Sequence, residues 1–209
     1  MKKGFFIIVG LFVFNDTVFS QDKEEHLLYP FEYNQAQYAV VKIAKSWWDA
    51  VEYAVEKGAY LVEINNAEEQ NAIYDVLINK ADISPHYTSV LNGGGIAYLW
   101  IGATDQYEEG VWIWDGDGDS AGICFWMGEG KNGNGNGKAV NNAYVNWGGT
   151  SNGTCNEPDN SRNKQHFGAI GLTGWPKGTT RLGCPGEWND IFGSSELYFV
   201  IEYLPKKFE

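Results

Sequence analysis

Residues 99–116 read LWIGATDQYEEGVWIWDG and contain two short strand-like segments, LWIGA and VWIWD. Both segments combine aromatic with β-branched residues, a composition that favours strands. The polar turn between them carries the acids Asp105, Glu108 and Glu109. This stretch marks the point along the chain at which β structure begins to predominate.

Two helices are predicted on the N-terminal side of this stretch. After a strand-like segment at residues 38–43, apolar residues recur at helical spacing. They are Trp47, Ala50, Val51, Ala54 and Val55. Ser46 is suited to the N-cap of this helix and Gly58 to its end. The second predicted helix covers residues 66–81, with Asn66 as its N-cap.

Short strands separated by long loops are predicted on the C-terminal side. Residues 128–143 are rich in glycine and asparagine without an apolar period, which predicts a mobile loop, and residues 146–166 form a polar loop. Three strand-like segments follow, FGAIGL at 167–172, EWNDI at 187–191 and LYFVIEY at 197–203. Helices followed by short strands predict an α+β fold with an antiparallel sheet.

The first twenty residues are predicted to be a secretory signal peptide. Lys2 and Lys3 precede an apolar run at residues 4–14, which is shorter than the about 20 residues needed to span a bilayer. Ser20 is a small residue suited to cleavage. The alternatives are a buried N-terminal strand and an uncleaved anchor.

The rest of the chain has the composition of one acidic, exported domain. Residues 21–35 are interpreted as a polar lead-in and residues 36–205 as the domain. The formal net charge of the chain is −12 at pH 7, which repels nucleic acid and anionic membranes but is compatible with cations. We expect a secreted or cell-surface protein without a nucleic-acid partner and without membrane insertion.

Three cysteines occur, Cys124, Cys155 and Cys184. An exported chain can keep disulfides, and we expect a Cys155–Cys184 bridge because both residues lie beside acidic motifs. The alternative is that all three are small buried side chains. No pair has the close spacing of a zinc site.

The sequence contains no recognisable catalytic motif. His26, His86 and His166 are scattered, and neither Gly-x-Ser-x-Gly nor His-Glu-x-x-His occurs. Two carboxylates can serve glycoside hydrolysis, but Glu157 and Asp159 lie in a polar loop without an evident apolar pocket that would raise one pKa. We therefore expect a binding protein and not an enzyme.

The segment DGDGDS resembles the start of an EF-hand loop, because Asp115, Asp117 and Asp119 occupy alternate positions. The pattern then fails, since Ser120 stands at the glycine position and Trp126 at the glutamate position. We predict a tight acidic turn, with an incidental calcium site as the alternative.

The strongest candidate for a binding site combines Glu157-Pro158-Asp159 with Trp188-Asn189-Asp190. Calcium takes about 6–8 oxygen ligands. The candidate side-chain oxygens belong to Glu157, Asp159, Gln165, Asn189 and Asp190. A proline between two ligands fixes the backbone, and a cis peptide bond there would turn both acids to one side.

Six segments, in the same order along the chain from Tyr38 to Tyr203, resemble the C-type lectin-like domain family. They are WWDAVEYAVEKGAYLVEI, NNAEEQNAI, LWIGATD, EEGVWIWDG, NWGGTSNGTCNEPDN, and the closing pair GEWND and LYFVIEY. The resemblance implies two helices with antiparallel sheets, a long calcium-binding loop region and a carbohydrate ligand. In sugar-binding members, the positions that match the five candidate ligands hold calcium, and two neighbouring sugar hydroxyls bind both the ion and its ligands.

The chain departs from the family in its cysteines. The positions matching the family's two disulfides are Val55, Phe167, Gly193 and Ile201. This is similar to bacterial members without those bridges. Packing of Val55 against Ile201 is expected to replace one of them, at the loss of about 2–5 kcal/mol of cross-link stabilisation.

The chain also departs from the family at the sugar-contacting positions. Gln165 stands where a glutamate is usual, and Glu157-Pro158-Asp159 matches neither the mannose-type Glu-Pro-Asn nor the galactose-type Gln-Pro-Asp. Acids at 157, 159 and 190 still supply three negative charges, so calcium binding is expected. Each sugar hydroxyl would contact one pair of these side chains. Glu157 and Asp159 can only accept hydrogen bonds from a hydroxyl when ionised, whereas Gln165 and Asn189 can both donate to one. The sugar therefore cannot be assigned by resemblance.

A second calcium is a further implication of the resemblance. Asp105 and Glu109 match positions that bind it in some members, along with Asn160, but His166 replaces an acid there. The alternative is two exposed acids on a turn.

We expect a secreted, calcium-dependent lectin that binds a glycan or polysaccharide. The alternative is a calcium-stabilised adhesin or protein-interaction module that binds no sugar. The oligomeric state is left open.

Overall fold

The computed structural model describes residues 27–205, which contain two α-helices and ten β-strands. The helices are α1 (Trp47–Glu56) and α2 (Ala67–Asn79). The strands are β1 (Leu28–Tyr33), β2 (Ala36–Lys45), β3 (Ala59–Leu61), β4 (Tyr98–Thr104), β5 (Val111–Trp114), β6 (Ile123–Met127), β7 (Lys138–Ala139), β8 (Phe167–Gly171), β9 (Trp188–Ile191) and β10 (Leu197–Tyr203). Neither helix has the length and apolar composition that crossing a bilayer requires. The predicted signal peptide lies outside the described residues.

Both helices begin at their predicted N-caps. Ser46 Oγ accepts a hydrogen bond from Asp49 N at 3.2 Å, and Asn66 Oδ1 accepts one from Glu69 N at 2.8 Å. These oxygens satisfy N–H groups that have no partner within the helix. After α1, Gly58 adopts a φ of +70°, a conformation that glycine reaches without steric cost.

The strands form one sheet along the path β1–β2–β10–β4–β5–β6–β7. In addition, β3 pairs with β10, and β8 pairs with both β4 and β9. The named strands pair antiparallel except β10 with β4, where Tyr198 lies opposite Leu99. The predicted α+β fold is confirmed, with one parallel pair where the last strand lies beside β4.

Strands β4 and β10 form the centre of the core because both of their faces are covered. Leu99 packs in the apolar cluster that contains the buried face of α2, whereas Tyr98 and Trp100 pack in the cluster that contains α1. In β10, Val200 and Phe199 divide between the same two clusters. Since successive strand residues point to opposite faces, a continuous apolar run is the pattern of a strand buried on both sides.

Residues 28–33 correct the expectation of a polar lead-in. They form β1, which pairs with β2 along its whole length. Tyr29, Phe31 and Tyr33 pack against the core, and the Phe31 ring stacks on Tyr38 with centroids 5.1 Å apart. Alternation of aromatic residues is the pattern of a half-buried strand, and the polar composition of the neighbouring residues obscured it.

The predicted Cys155–Cys184 disulfide is wrong, because Cys124, Cys155 and Cys184 are all free thiols. The Cys155 thiol donates to Glu157 O at 3.5 Å, whereas Cys184 Sγ accepts a hydrogen bond from Asn152 Nδ2 at 3.7 Å. The two sulfur atoms therefore have different partners.

At Phe167 and Gly193, two of the positions that match the family's disulfides, the side chain of Phe167 packs against the glycine. A Cβ atom on Gly193 would lie 2.3 Å from Phe167 Cε2, so the ring fills the space that a side chain would need. The expected packing of Val55 against Ile201 is wrong, because Val55 is 51% exposed and Ile201 is buried. Ala54, one residue earlier, lies on the inner face of α1 in the same cluster as Ile201.

Candidate metal centre

Asp190 anchors the loop that carries the Glu-Pro-Asp motif. It lies on β9 opposite Gly168 of β8 and is fully buried. Its Oδ1 accepts a hydrogen bond from Asp159 N at 3.2 Å, and its Oδ2 accepts one from Asn160 N at 2.7 Å. A residue of the rigid sheet therefore fixes the position of the loop backbone.

Three carboxylates converge at this point. Ligand oxygens of Glu157, Asp159 and Asp190 lie within 4.8 Å of one another, and the Glu157–Pro158 peptide bond is cis. Glu157 Oε1 accepts a hydrogen bond from Trp175 Nε1 at 3.1 Å, but Glu157 Oε2 is buried without a partner among residues 27–205. Burying an unpaired carboxylate oxygen is costly, so this atom is suited to bind a cation.

The charges of the three acids oppose one another. Burial raises the pKa of Glu157 well above its ordinary value, and the charge of Asp190 raises it further. Burial also raises the pKa of Asp190, with a second contribution from the charge of Asp159. The pKa of Asp159 is itself raised by burial. A divalent cation would offset the repulsion and replace the water that these carboxylates lose.

The two predicted amide ligands lie beside the acids. Ser161 N donates both to Gln165 Oε1, at 2.8 Å, and to Asp159 Oδ1, at 3.1 Å, so these two oxygens are neighbours. Asn189 Nδ2 donates to Tyr98 Oη at 3.0 Å. Burial raises the pKa of Tyr98 well above its ordinary value, and the charges of Glu157 and Asp190 raise it further. The structure therefore brings Glu157, Asp159, Gln165 and Asp190 together, and Asn189 directly precedes Asp190 on β9.

The contacts that orient the two amides were not predicted from the sequence. Gln165 Nε2 donates to Asn92 O at 3.1 Å, and Tyr98 Oη, the partner of Asn189, donates to Gly93 O at 2.6 Å. The 3₁₀ turn Leu91–Gly93 therefore holds both amides. These contacts join segments more than 70 positions apart, and no local pattern indicates them.

The donor set fits calcium. It offers carboxylate and amide oxygens, the ligands of a hard cation, and about 6–8 oxygens complete a calcium shell. Asp159 is partly exposed, whereas the other four residues are buried. Any further oxygen ligands of a bound ion would have to come from the side of Asp159, the part of the group that is open to solvent.

A second group of metal-ligand side chains consists of Asp105, Glu109 and His166. His166 Nδ1 lies 3.1 Å from Asp105 Oδ1 and 3.5 Å from Glu109 Oε2. Asn160, the third residue predicted for a second calcium, uses its Oδ1 to accept a hydrogen bond from Gln165 N at 3.2 Å. The structure thus pairs the two predicted acids with a histidine.

Asp115 and Asp119 of the DGDGDS segment accept hydrogen bonds from backbone N–H groups of their own turn, and Asp115 accepts another from Tyr107. Asp115 is buried, and its Oδ1 and Oδ2 accept hydrogen bonds from Ser120 N and Tyr107 Oη, each at 2.9 Å. Asp119 Oδ1 accepts one from Ala121 N at 2.8 Å. These bonds are those of the predicted acidic turn.

Comparison with known families agrees with this fold. The family model described as the lectin C-type domain matches residues 43–161, which is more than half of the 209-residue chain. The protein belongs to the C-type lectin family. The matched span includes Glu157 and Asp159 but ends before Gln165 and β9, so the placement of the remaining candidate ligands depends on the structure.

Individual proteins and solved structures that are similar to this chain also include C-type lectins. The chain is 28% identical to salivary C-type lectin 2 of Aedes albopictus over 175 residues, which cover 83% of this chain and 87% of that protein. The carbohydrate-recognition domain of mouse scavenger receptor C-type lectin has a TM-score of 0.53 at 18% identity, covering 86% of this chain and 97% of that one. C-type lectin CEL-I from Cucumaria echinata has a TM-score of 0.52 at 19% identity, covering 83% and 93%.

These structural similarities show a shared fold. Family membership supports the expectation of a binding protein and not an enzyme.

Proposed function

We propose that this protein is a secreted lectin that binds carbohydrate through a calcium ion in the loop site. The ligand residues are Glu157, Asp159, Gln165, Asn189 and Asp190. The observation that carries the proposal is the buried Glu157 Oε2, which has no hydrogen-bond partner within residues 27–205 and lies among three carboxylates. The carbohydrate-recognition domain among the similar structures supports a sugar as the ligand.

The residues of this chain have separate tasks in the proposed site. Asp190 holds the loop through two backbone N–H groups, and Trp175 orients Glu157. Asp159 is partly exposed and forms the side of the proposed site that solvent can reach. Calcium, when bound, supplies coordination positions for two hydroxyl groups of a sugar.

The amide groups limit how those hydroxyls are recognised. An amide nitrogen carries two protons, and Gln165 and Asn189 each donate one to a protein acceptor, Asn92 O or Tyr98 Oη. The second proton of each amide remains for a sugar hydroxyl, whereas Glu157 can only accept when ionised. The acceptors thus form one pair, Glu157 with Asp159, and the donors form the other, Gln165 with Asn189. The sugar preference therefore differs from the mannose and galactose patterns, in which each pair combines an acid with an amide.

Burial supports an alternative for the same site, a calcium-stabilised adhesin or protein-interaction module that binds no sugar. Glu157, Gln165, Asn189 and Asp190 are 2%, 1%, 4% and 0% exposed. A calcium ion among them would be largely enclosed by protein, which would suit a structural role. In that case calcium stabilises the fold and no glycan is retained.

Export is proposed on two grounds. Residues 1–20 have the order of a signal peptide, and the relative from Aedes albopictus is named a salivary protein. Mass spectrometry of the mature protein should find an N-terminus near Gln21, and retention of Met1 in exported protein would contradict cleavage.

A glycan array with calcium, and with EDTA in its place, tests the lectin function. We expect calcium-dependent retention of at least one glycan by the natural chain. The double variant Glu157→Gln with Asp159→Asn should lose this retention because two of three ligand charges are removed.

The matched control is Asp117→Asn with Asp119→Asn, which removes two charges from the acidic turn and should keep glycan binding. Calcium binding without any retained glycan would favour the interaction module. Equal glycan binding by both double variants would place the sugar site elsewhere.

A further inference from the structure

The group formed by Asp105, Glu109 and His166 has the chemistry of a metal site that differs from the calcium site above. One ligand atom from each side chain lies within 4.8 Å of the others. Asp105 is 2% exposed, whereas the side chains of His166 and Glu109 are 28% and 45% exposed. The group therefore has a buried base and an open side.

The sheet places two of the three residues together. Asp105 directly follows β4, and His166 directly precedes β8, which pairs with β4 so that Thr104 lies opposite Phe167. His166 O accepts hydrogen bonds from Asp105 N at 3.2 Å and from Thr104 Oγ1 at 2.8 Å. The backbones that carry the imidazole and the buried carboxylate are thus joined directly.

The turn after β4 orients the carboxylates. Gly110 N donates to Asp105 Oδ2 at 2.9 Å, so Asp105 Oδ1 is the oxygen that faces His166 Nδ1 at 3.1 Å. The same turn brings Glu109 Oε2 to 3.5 Å from that nitrogen. A hydrogen bond to the non-ligating oxygen is the kind of outer contact that orients a metal ligand.

The donor set does not fit calcium. Calcium requires about 6–8 oxygen ligands, and here the third side chain presents a ring nitrogen. Imidazole is a ligand of borderline metals, and zinc binds histidine and carboxylates in sites with about four ligands. Two carboxylates also balance the charge of a divalent ion.

We propose that Asp105 Oδ1, Glu109 Oε2 and His166 Nδ1 bind a zinc-type divalent ion, with water at the open position beside the exposed edges of His166 and Glu109. The ion replaces any proton on Nδ1, because only a neutral imidazole ligates a metal. The site is independent of the proposed lectin function. The competing explanation is an ion pair between a protonated imidazole and the two acids.

Titration calorimetry with zinc chloride in saturating calcium separates these explanations. The natural chain should bind one zinc ion tightly at this site. His166→Asn should weaken this binding at least about tenfold because one of three ligands is lost. His86→Asn removes an exposed histidine elsewhere and should leave zinc affinity unchanged.

A second variant makes the test specific for the nitrogen. His166→Asp supplies a third carboxylate, so zinc should bind more weakly and calcium stoichiometry should rise by one. The double variant Glu157→Gln with Asp159→Asn should keep the zinc ion, which separates this site from the lectin site. Equal zinc affinity in the natural chain and His166→Asn, or no zinc binding by the natural chain, would overturn the proposal.

Discussion

Two groups of three acids show how burial distinguishes a candidate binding site from a turn. The acidic turn consists of Asp115, Asp117 and Asp119. The buried triad consists of Glu157, Asp159 and Asp190. In the acidic turn, two of the acids are exposed and both oxygens of the buried one accept hydrogen bonds. In the buried triad, one oxygen of Glu157 has no partner among the described residues.

The difference follows from where the acids come from along the chain. Acids in one short turn are close to the N–H groups of that turn, as Asp115 is to Ser120 N and Asp119 is to Ala121 N. The buried triad joins a loop to β9, and its acids Glu157 and Asp190 are 2% and 0% exposed. Hydrogen bonds satisfy the buried acid of the acidic turn, whereas the buried triad leaves one Glu157 oxygen without a partner among the described residues, which a cation would supply. Regular spacing of acids in the sequence is therefore a weaker indication of a metal site than their burial.

The largest expected effect comes from Asp190→Ala. This change removes a ligand of the proposed ion and leaves Asp159 N and Asn160 N without their acceptor. In calcium, the free energy of unfolding should fall by about 3–5 kcal/mol, measured by urea denaturation. In EDTA the loss should be smaller, because removing one buried acid also removes its repulsion with Glu157.

The control for that comparison is Asp117→Ala in the acidic turn. Asp117 is exposed, and its removal should change the free energy of unfolding by no more than about 0.5 kcal/mol with or without calcium. An equal loss for Asp190→Ala in calcium and in EDTA would show that the buried triad holds no ion.

Calcium removal should have the next largest effect. An ion at 100 times its dissociation constant adds about 2.7 kcal/mol to the free energy of unfolding, so EDTA should lower the melting temperature by several degrees. The double variant Glu157→Gln with Asp159→Asn should show no such shift in differential scanning fluorimetry. Asp117→Asn with Asp119→Asn should keep it, and a shift lost only in the latter variant would reverse the assignment of the two groups.

Local patterns predicted most elements of the fold, and pairing between distant segments was the part they did not predict. Ser46 and Asn66 marked the helix starts because an N-cap acts within three residues. The parallel pairing of β10 with β4 joins segments about a hundred residues apart and has no local signal. Strand β1 was missed because the polar residues around it concealed the alternation of Tyr29, Phe31 and Tyr33.

The candidate site shows the same limit. Its five ligand residues were predicted from the motifs and the family resemblance, and the structure brings four of them together, with Asn189 beside Asp190 on β9. The residues that orient them, Asn92, Tyr98 and Trp175, were missed because each contacts the site from a different loop or strand. The disulfide prediction failed because proximity to acidic motifs in sequence says nothing about the direction of the Cys155 and Cys184 side chains.

A smaller effect is expected from the acidic turn through Glu63. Burial and then the charge of Asp117 raise the pKa of Glu63 from about 4.5 to about 7. Because the folded pKa is raised, the stability from the bound proton is fully present below pH 4.5 and is lost as the pH rises through about 7. Asp117→Asn should lower the pKa of Glu63 and make this loss smaller.

Carbon-detected NMR titration of the Glu63 carboxyl, in saturating calcium, measures that pKa directly. Urea denaturation at pH 5 and pH 8 should show Asp117→Asn gaining stability relative to the natural chain at the higher pH. Asp119→Asn is the matched control, because Asp119 does not contribute to the pKa shift of Glu63. An unchanged Glu63 pKa in Asp117→Asn would mean that the charge of Asp117 does not contribute to the shift.

The smallest change in calcium affinity is expected when one charge of the loop site is moved and none is removed. Asp159→Asn with Gln165→Glu keeps three acids among the five ligands and produces the acid and amide arrangement of a mannose-type site. Calcium affinity should change by about threefold or less, because charge and oxygen count are conserved. Glycan preference should change, because position 159 now has a donor beside the Glu157 acceptor and position 165 has lost its bond from Nε2 to Asn92 O. Isothermal titration with calcium and a glycan array measure the two effects separately. A large loss of calcium affinity with unchanged glycan preference would show that Asp159 acts on the ion alone, and that the sugar is recognised by other residues.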